Sequence, residues 1–79
     1  MTKQVIIYTT PTCGYCRATK EFFKEHNVSY TEYDVSTDSE KAHEMIEKSG
    51  QMGVPVIIVG GELVIGFDRP KLENLLGVS

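Results

Sequence analysis

Val5-Ile6-Ile7-Tyr8-Thr9-Thr10-Pro11-Thr12-Cys13-Gly14-Tyr15-Cys16 is the stretch that decides the fold. Its first four residues are an unbroken apolar run rich in β-branched side chains, as in a strand buried on both faces. Thr9, Thr10, Pro11 and Thr12 break the run. Thr12 can cap a following helix, with Cys13 in its first turn. Cys16, Thr19, Phe22, Phe23 and His26 then recur at spacings of three and four, which predicts a helix to about His26 with these residues on one face. Asn27 suits the left-handed position that commonly ends a helix.

Outward from there, Val28 to Val35 alternates as a second strand. Thr31, Tyr33 and Val35 share one side; Tyr30, Glu32 and Asp34 share the other, and the polar side suggests an edge strand. Two strands joined by one helix form a parallel βαβ unit. Thr37-Asp38-Ser39-Glu40 has the form of a capping box, in which Thr37 bonds the Glu40 amide and Glu40 reaches back. The helix it opens carries Ala42, Met45, Ile46 and Ser49 on one face and ends near Gly50. Val54-Pro55-Val56-Ile57-Ile58-Val59 is the most apolar stretch, a central strand opened by a proline. Gly60-Gly61 signals a two-residue hairpin, with Leu63 to Ile65 returning. Gly66-Phe67 is a turn, Asp68 an N-cap, and Pro70 sits in the first turn of a last helix whose buried stripe is Leu72, Leu75 and Leu76. The order is β-α-β-α-β-β-α in a single domain over residues 1–79.

At 79 residues, the chain can bury roughly 60–65% of its unfolded surface, so its stability is modest. Hydrophobic residues make up 41% and charged residues 24%, as in an ordinary globular domain. The net charge of −3 argues against nucleic acid as a partner, because phosphate binding needs clustered basic surface. No apolar run approaches the roughly 18–20 residues of a membrane span. Met1-Thr2-Lys3-Gln4 lacks the apolar stretch and cleavage site of a signal peptide. The expected location is the cytoplasm.

There are two cysteines, Cys13 and Cys16. A bridge across so short a loop would constrain the unfolded chain very little, and a reducing compartment disfavours staples. The pair therefore calls for a chemical explanation. A C-x-x-C that follows a strand and opens a helix inside a βαβ unit suits dithiol redox work. The thiolate is the nucleophile, and the unpaired amides and dipole at a helix N-terminus stabilise such an anion. Cys13 is thus the attacking group. Cys16, one turn deeper on the same face, can attack the resulting mixed disulfide and release the reduced target. Arg17 and Lys20 add positive charge nearby. A zinc site would usually want two further ligands; His26 and His43 stand on separate predicted helices and fit helix-end or surface packing better. No metal is expected.

These residues resemble the glutaredoxins and their NrdH-type redoxin relatives, over nearly the whole chain. Tyr8 to Cys16 looks like the family's strand-to-helix active-site segment. Gly53-Val54-Pro55 looks like its Thr-Val-Pro motif, and Gly66-Phe67-Asp68 like its late Gly-Cys-Asp or Gly-Phe loop. The three occur in the expected order at suitable separations. The resemblance implies a thioredoxin fold: a four-stranded mixed sheet with three helices, covering both faces. It also implies a cis Val54–Pro55 peptide facing Cys13. The Val54 backbone would pair with a bound peptide or glutathione like an added strand, and Phe67 and Asp68 match positions that hold glutathione. Tyr15 and Tyr8 flank the site; packing suffices for Tyr8, whereas Tyr15 could shape a substrate groove.

The departures from the family pattern bear on the reductant. Many glutathione-using members carry a Lys where Thr10 stands. Gly53 replaces the threonine before Val-Pro, and Arg69 replaces the second Asp of the late loop. Ile65-Gly66-Phe67-Asp68-Arg69-Pro70 is similar to the NrdH-type Ser-Gly-Phe-Arg-Pro run with an Asp inserted, while Tyr15 stands where those members have Gln. The implied activity is a dithiol thiol–disulfide oxidoreductase, an electron donor in cell redox homeostasis. It reduces protein disulfides or glutathione mixed disulfides and binds no cofactor tightly. Its external reductant is glutathione or thioredoxin reductase. An NrdH-type redoxin donating to ribonucleotide reductase, and a glutaredoxin bridging an iron–sulfur cluster through Cys13, are the alternatives. A monomer is expected at this size.

Overall fold

The computed structural model describes residues 4–78; the expectation made on Met1-Thr2-Lys3 lies outside them. The elements are β1 (Val5–Thr9), α1 (Gly14–Glu25), β2 (Thr31–Asp34), α2 (Ser39–Ser49), β3 (Val56–Val59), β4 (Glu62–Ile65) and α3 (Arg69–Leu76). The sheet order is β2-β1-β3-β4. β2 runs parallel to β1, and β3 and β4 pair antiparallel. The expected order and mixed sheet are found, with β2 at an edge and β3 in the interior.

Alternation along the central strands places a core on each face of the sheet. Val5 and Ile7 of β1 join Ile57 and Val59 of β3, Phe22 and Phe23 of α1, Val64 of β4 and Leu72 of α3. The opposite face gathers Tyr8, Val56 and Met45 of α2, with Ile6, Tyr33 and Ile58 partly buried against them. Successive strand side chains point to opposite faces, so strands covered on both faces read as continuous apolar runs. Helices α1 and α3 therefore cover one face and α2 the other.

Several boundaries differ from the sequence reading. The N-cap of α1 is Cys13, not Thr12, which is exposed in the preceding turn. The N-cap of α2 is Asp38, whose carboxylate accepts the Lys41 amide at 3.1 Å. Thr37 instead donates its hydroxyl to the Asp34 carbonyl at 3.3 Å, within the turn that follows β2. The capping signal is thus displaced by one residue. β2 begins at Thr31 rather than Val28, because the Val28 amide closes the end of α1 on the Phe23 carbonyl at 2.8 Å. Asn27, at φ 56°, makes that reversal as expected. β3 begins at Val56, with Pro55 just outside it, and β4 begins at Glu62. Gly60 and Gly61 sit at φ 55° and 89°, the two positive angles of a type I′ hairpin. Asp68 caps α3, whose first turn holds Pro70, as predicted.

The corrected cap of α2 gives a direct test. Asp38→Ala should lower stability by about 1 kcal/mol, the usual cost of losing a helix cap. Thr37→Ala should cost clearly less. Urea unfolding of the two variants beside the parent checks this, and equal losses would return the cap to Thr37.

Candidate thiol redox site

Cys13 occupies the N-cap of α1 in extended backbone geometry, φ −88° and ψ 113°. Its sulfur accepts the Cys16 amide at 3.1 Å. That amide is one of the donors a helix start leaves without a backbone partner. The positive end of the α1 dipole points at the same sulfur, an arrangement that favours negative charge there. The Cys13 amide donates to the Thr10 carbonyl at 3.3 Å, which holds the turn joining β1 to α1. Cys13 is half-buried, whereas Cys16 is 1% exposed. Both are free thiols. The Cys16 thiol is pushed up to about 12, mainly by burial and then by its hydrogen bond with Cys13. The Thr10 backbone amide and the Lys20 charge act in the other direction.

Across from Cys13 stands the segment before β3. The Val54–Pro55 peptide is cis, and the Cys13 thiol lies 3.8 Å from the Val54 carbonyl oxygen, towards which it donates. Pro55 is buried, and its carbonyl accepts the Gly66 amide at 2.8 Å, which docks the late loop on the same segment. The Gln51 side chain clasps Gly53, donating to its carbonyl at 3.0 Å and accepting its amide at 2.7 Å. A Cβ at position 53 would stand 2.7 Å from Gln51 Oε1. Glycine therefore fits this clasp where the family pattern has threonine.

The other predicted site residues separate into groups. Tyr15 is 71% exposed, beside Cys13 at the start of α1. Phe67 is half-buried and packs its ring edge-on to Phe22 at 6.0 Å, so it anchors the late loop in the core. Asp68 is exposed, and its carboxylate accepts the Lys71 amide at 3.3 Å. Tyr8 does not flank the site. It is fully buried, with its hydroxyl donated to Glu44 of α2 at 3.0 Å. Burial first, and that bond second, raise the Tyr8 hydroxyl to about 12. Arg17 is exposed, whereas Lys20 pairs with Glu32 at 2.9 Å. Arg69 pairs with Glu73 at 3.2 Å and lies over the Phe22 ring. His26 packs on Phe22, with ring centroids 4.5 Å apart, as its helix-end position suggested.

Three residues escaped the sequence reading. Met52, at 76% exposure, and Ile65, at 51%, expose apolar side chains two residues before Val54 and directly before Gly66. Gln51 supplies the clasp on Gly53. Proximity of all three to the Val54-Pro55 and Gly66-Phe67 motifs was the available signal.

A family model described as Glutaredoxin matches residues 5–64. A glutaredoxin-like 8.6 kDa protein of the rubredoxin operon of Clostridium pasteurianum is 39% identical over 70 residues, covering 89% of this chain and 93% of that protein. Glutaredoxin 3 of Escherichia coli K12 is 36% identical over 64 residues, covering 81% and 77%. Among solved structures, the glutaredoxin-like NrdH-redoxin of Escherichia coli, described as having a thioredoxin-like activity profile, superposes with a TM-score of 0.80. It is 30% identical, with 92% of this chain and 93% of that chain covered. With the thioredoxin-like architecture and the C-x-x-C segment at the start of α1, these matches make the chain a glutaredoxin-like thiol redox protein that belongs to the glutaredoxin family.

Proposed function

We propose that the protein is a dithiol thiol–disulfide oxidoreductase in which Cys13 attacks and Cys16 resolves. The observation that carries this is the Cys13 sulfur at the N-cap of α1, receiving the Cys16 amide at 3.1 Å while Cys16 itself is buried. A thiolate at Cys13 attacks one sulfur of the target disulfide, forming a mixed disulfide and releasing the other sulfur as a thiolate. Cys16 then attacks the Cys13 sulfur. A Cys13–Cys16 disulfide forms, and the target's second sulfur leaves and takes a proton from solvent. The Val54 backbone, with its carbonyl towards Cys13, takes up the extended chain of a protein disulfide or of glutathione. Tyr15, Phe67 and Asp68 line the approach.

A second reading concerns the reductant. Thr10 carries no charge, and Arg69 is engaged by Glu73 and Phe22. The matched NrdH-redoxin has a thioredoxin-like activity profile. These features favour recharging by thioredoxin reductase over recharging by glutathione.

Cys13→Ser should abolish turnover with any disulfide substrate. Cys16→Ser should stall protein-disulfide reduction as a covalent mixed disulfide, visible by intact-mass measurement, while sparing a monothiol reaction with a glutathione mixed disulfide. Retained activity in Cys13→Ser would remove the proposed mechanism. The reductant follows from NADPH oxidation with a small disulfide under two recharging systems. Turnover only with glutathione and glutathione reductase makes the protein a working glutaredoxin. Turnover only with thioredoxin reductase makes it an NrdH-type redoxin.

A further inference from the structure

Burial leaves Cys16 reluctant to ionise, yet the second half of the exchange needs its thiolate. The residues behind it bear on that difficulty. Lys20 lies four residues beyond Cys16 on α1, and residues four apart share a helix face. Its ammonium is held 2.9 Å from Glu32 Oε2 on β2. The same oxygen accepts the Thr9 hydroxyl at 2.7 Å. Thr9 is 2% exposed and closes β1, and the backbone of the next residue, Thr10, lowers the Cys16 pKa. One carboxylate therefore ties the end of β1, the edge strand β2 and the Lys20 side chain into a single clamp beside the buried thiol.

The groups that act on Cys16 belong to α1 and to the turn that precedes it. Cys13 raises its pKa, and the Thr10 amide and Lys20 lower it. Lys20 in turn faces Glu32 of β2 and Tyr30 just before that strand, and Glu32 faces Asp34 of the same strand. Once Cys13 is part of a mixed disulfide, its sulfur carries no charge and ceases to oppose ionisation of Cys16. Burial then stands against the Thr10 amide and Lys20.

We propose that Lys20, clamped by Glu32 and Thr9, is a positioning residue for the resolving step, holding its positive charge where the Cys16 thiolate develops. The proposal rests on the dithiol reading of Cys13 and Cys16. In the step itself Cys16 gives its proton to solvent, and its thiolate bonds to the Cys13 sulfur. The bond from Cys13 to the target sulfur breaks, and its electron pair leaves with that sulfur.

A coloured leaving group separates the two halves. The reduced full-length protein is mixed with dithiobisnitrobenzoate in stopped flow across a pH series. Attack by Cys13 releases the first nitrothiobenzoate, and attack by Cys16 releases the second. In Lys20→Gln, whose altered side chain lies at the surface, the second phase should slow about tenfold near neutral pH. Its pH profile should move up by about one unit, the equivalent of that factor. The first phase should stay within about twofold, and Lys20→Arg should return the second phase to within about threefold of the parent, since it restores the charge. An unmoved pH profile in Lys20→Gln, equal slowing of both phases, or no rescue by Lys20→Arg overturns the proposal. Loss of the dithiol reading looks different: the parent protein then shows no first phase, or Cys13→Ser retains one.

Discussion

The contact between the Cys13 sulfur and the Cys16 amide is the constraint on which the site depends. A helix start leaves several amides without backbone partners, and an oxygen-bearing side chain commonly takes one of them. Here a sulfur does so, and the atom that caps α1 is the atom to which the proposed function gives the attack. Its position is set by the helix, and the helix is set by Phe22 and Phe23 in the core. Thr19, fully buried one turn beyond Tyr15, donates its hydroxyl to the Tyr15 carbonyl at 2.8 Å and ties the first turns together. Displacing α1 would therefore move the sulfur, its amide donor and the buried second thiol together.

Strand register brings the remaining pieces to that sulfur. Tyr8 pairs with Val56 across the antiparallel β1–β3 ladder. The end of β1 is thereby level with the start of β3, and the residues just beyond each pairing run into Cys13 and Val54. Val56 pairs with Ile65 across β3–β4, which sets Gly66 beside Pro55. Three segments distant in sequence meet at one end of the sheet because two ladders are in register. A slip of one residue in either would reverse the facing of every side chain in that strand and empty one of the two cores.

Much of this was legible in the residues. Strand and helix order followed from apolar runs and spacings of three and four. The hairpin followed from Gly60-Gly61, and the site's chemistry from the C-x-x-C pair at a strand-to-helix junction. The caps were less legible, because adjacent residues compete for one role. Thr37 and Asp38 can both cap α2, and the turn after β2 engages the threonine hydroxyl on Asp34. Thr12 can cap α1, yet Cys13 takes the place because its sulfur reaches the Cys16 amide. Tyr8 looked like a neighbour of the site from its position in the segment. Alternation along β1 sends it to the α2 face, where Glu44 takes its hydroxyl. Met52 and Ile65 had no periodic pattern to mark them, since the exposure of residues at loops and strand ends depends on tertiary placement.

The charges near the site are largely satisfied within the fold. Lys20 is held by Glu32, Arg69 by Glu73, and the Asp68 carboxylate by the Lys71 amide. Each such contact at the surface contributes little to stability, yet each withdraws a charge from outside partners. Beside the exposed Arg17 and Asp68, the fold also leaves apolar side chains exposed: Tyr15, Met52 and Ile65. A small ligand bearing carboxylates gains most from unpaired cations and charge-assisted hydrogen bonds; Lys20 and Arg69 are already paired, which leaves Arg17 as the exposed cation next to Cys16 among the described residues. A folded partner gains from apolar contact and backbone pairing, which Tyr15, Met52, Ile65 and the Val54 segment can supply. Under the proposed reading of the reductant, the uncharged Thr10 and the engaged Arg69 argue the same way, and the exposed apolar side chains add a physical reason that does not depend on the family pattern.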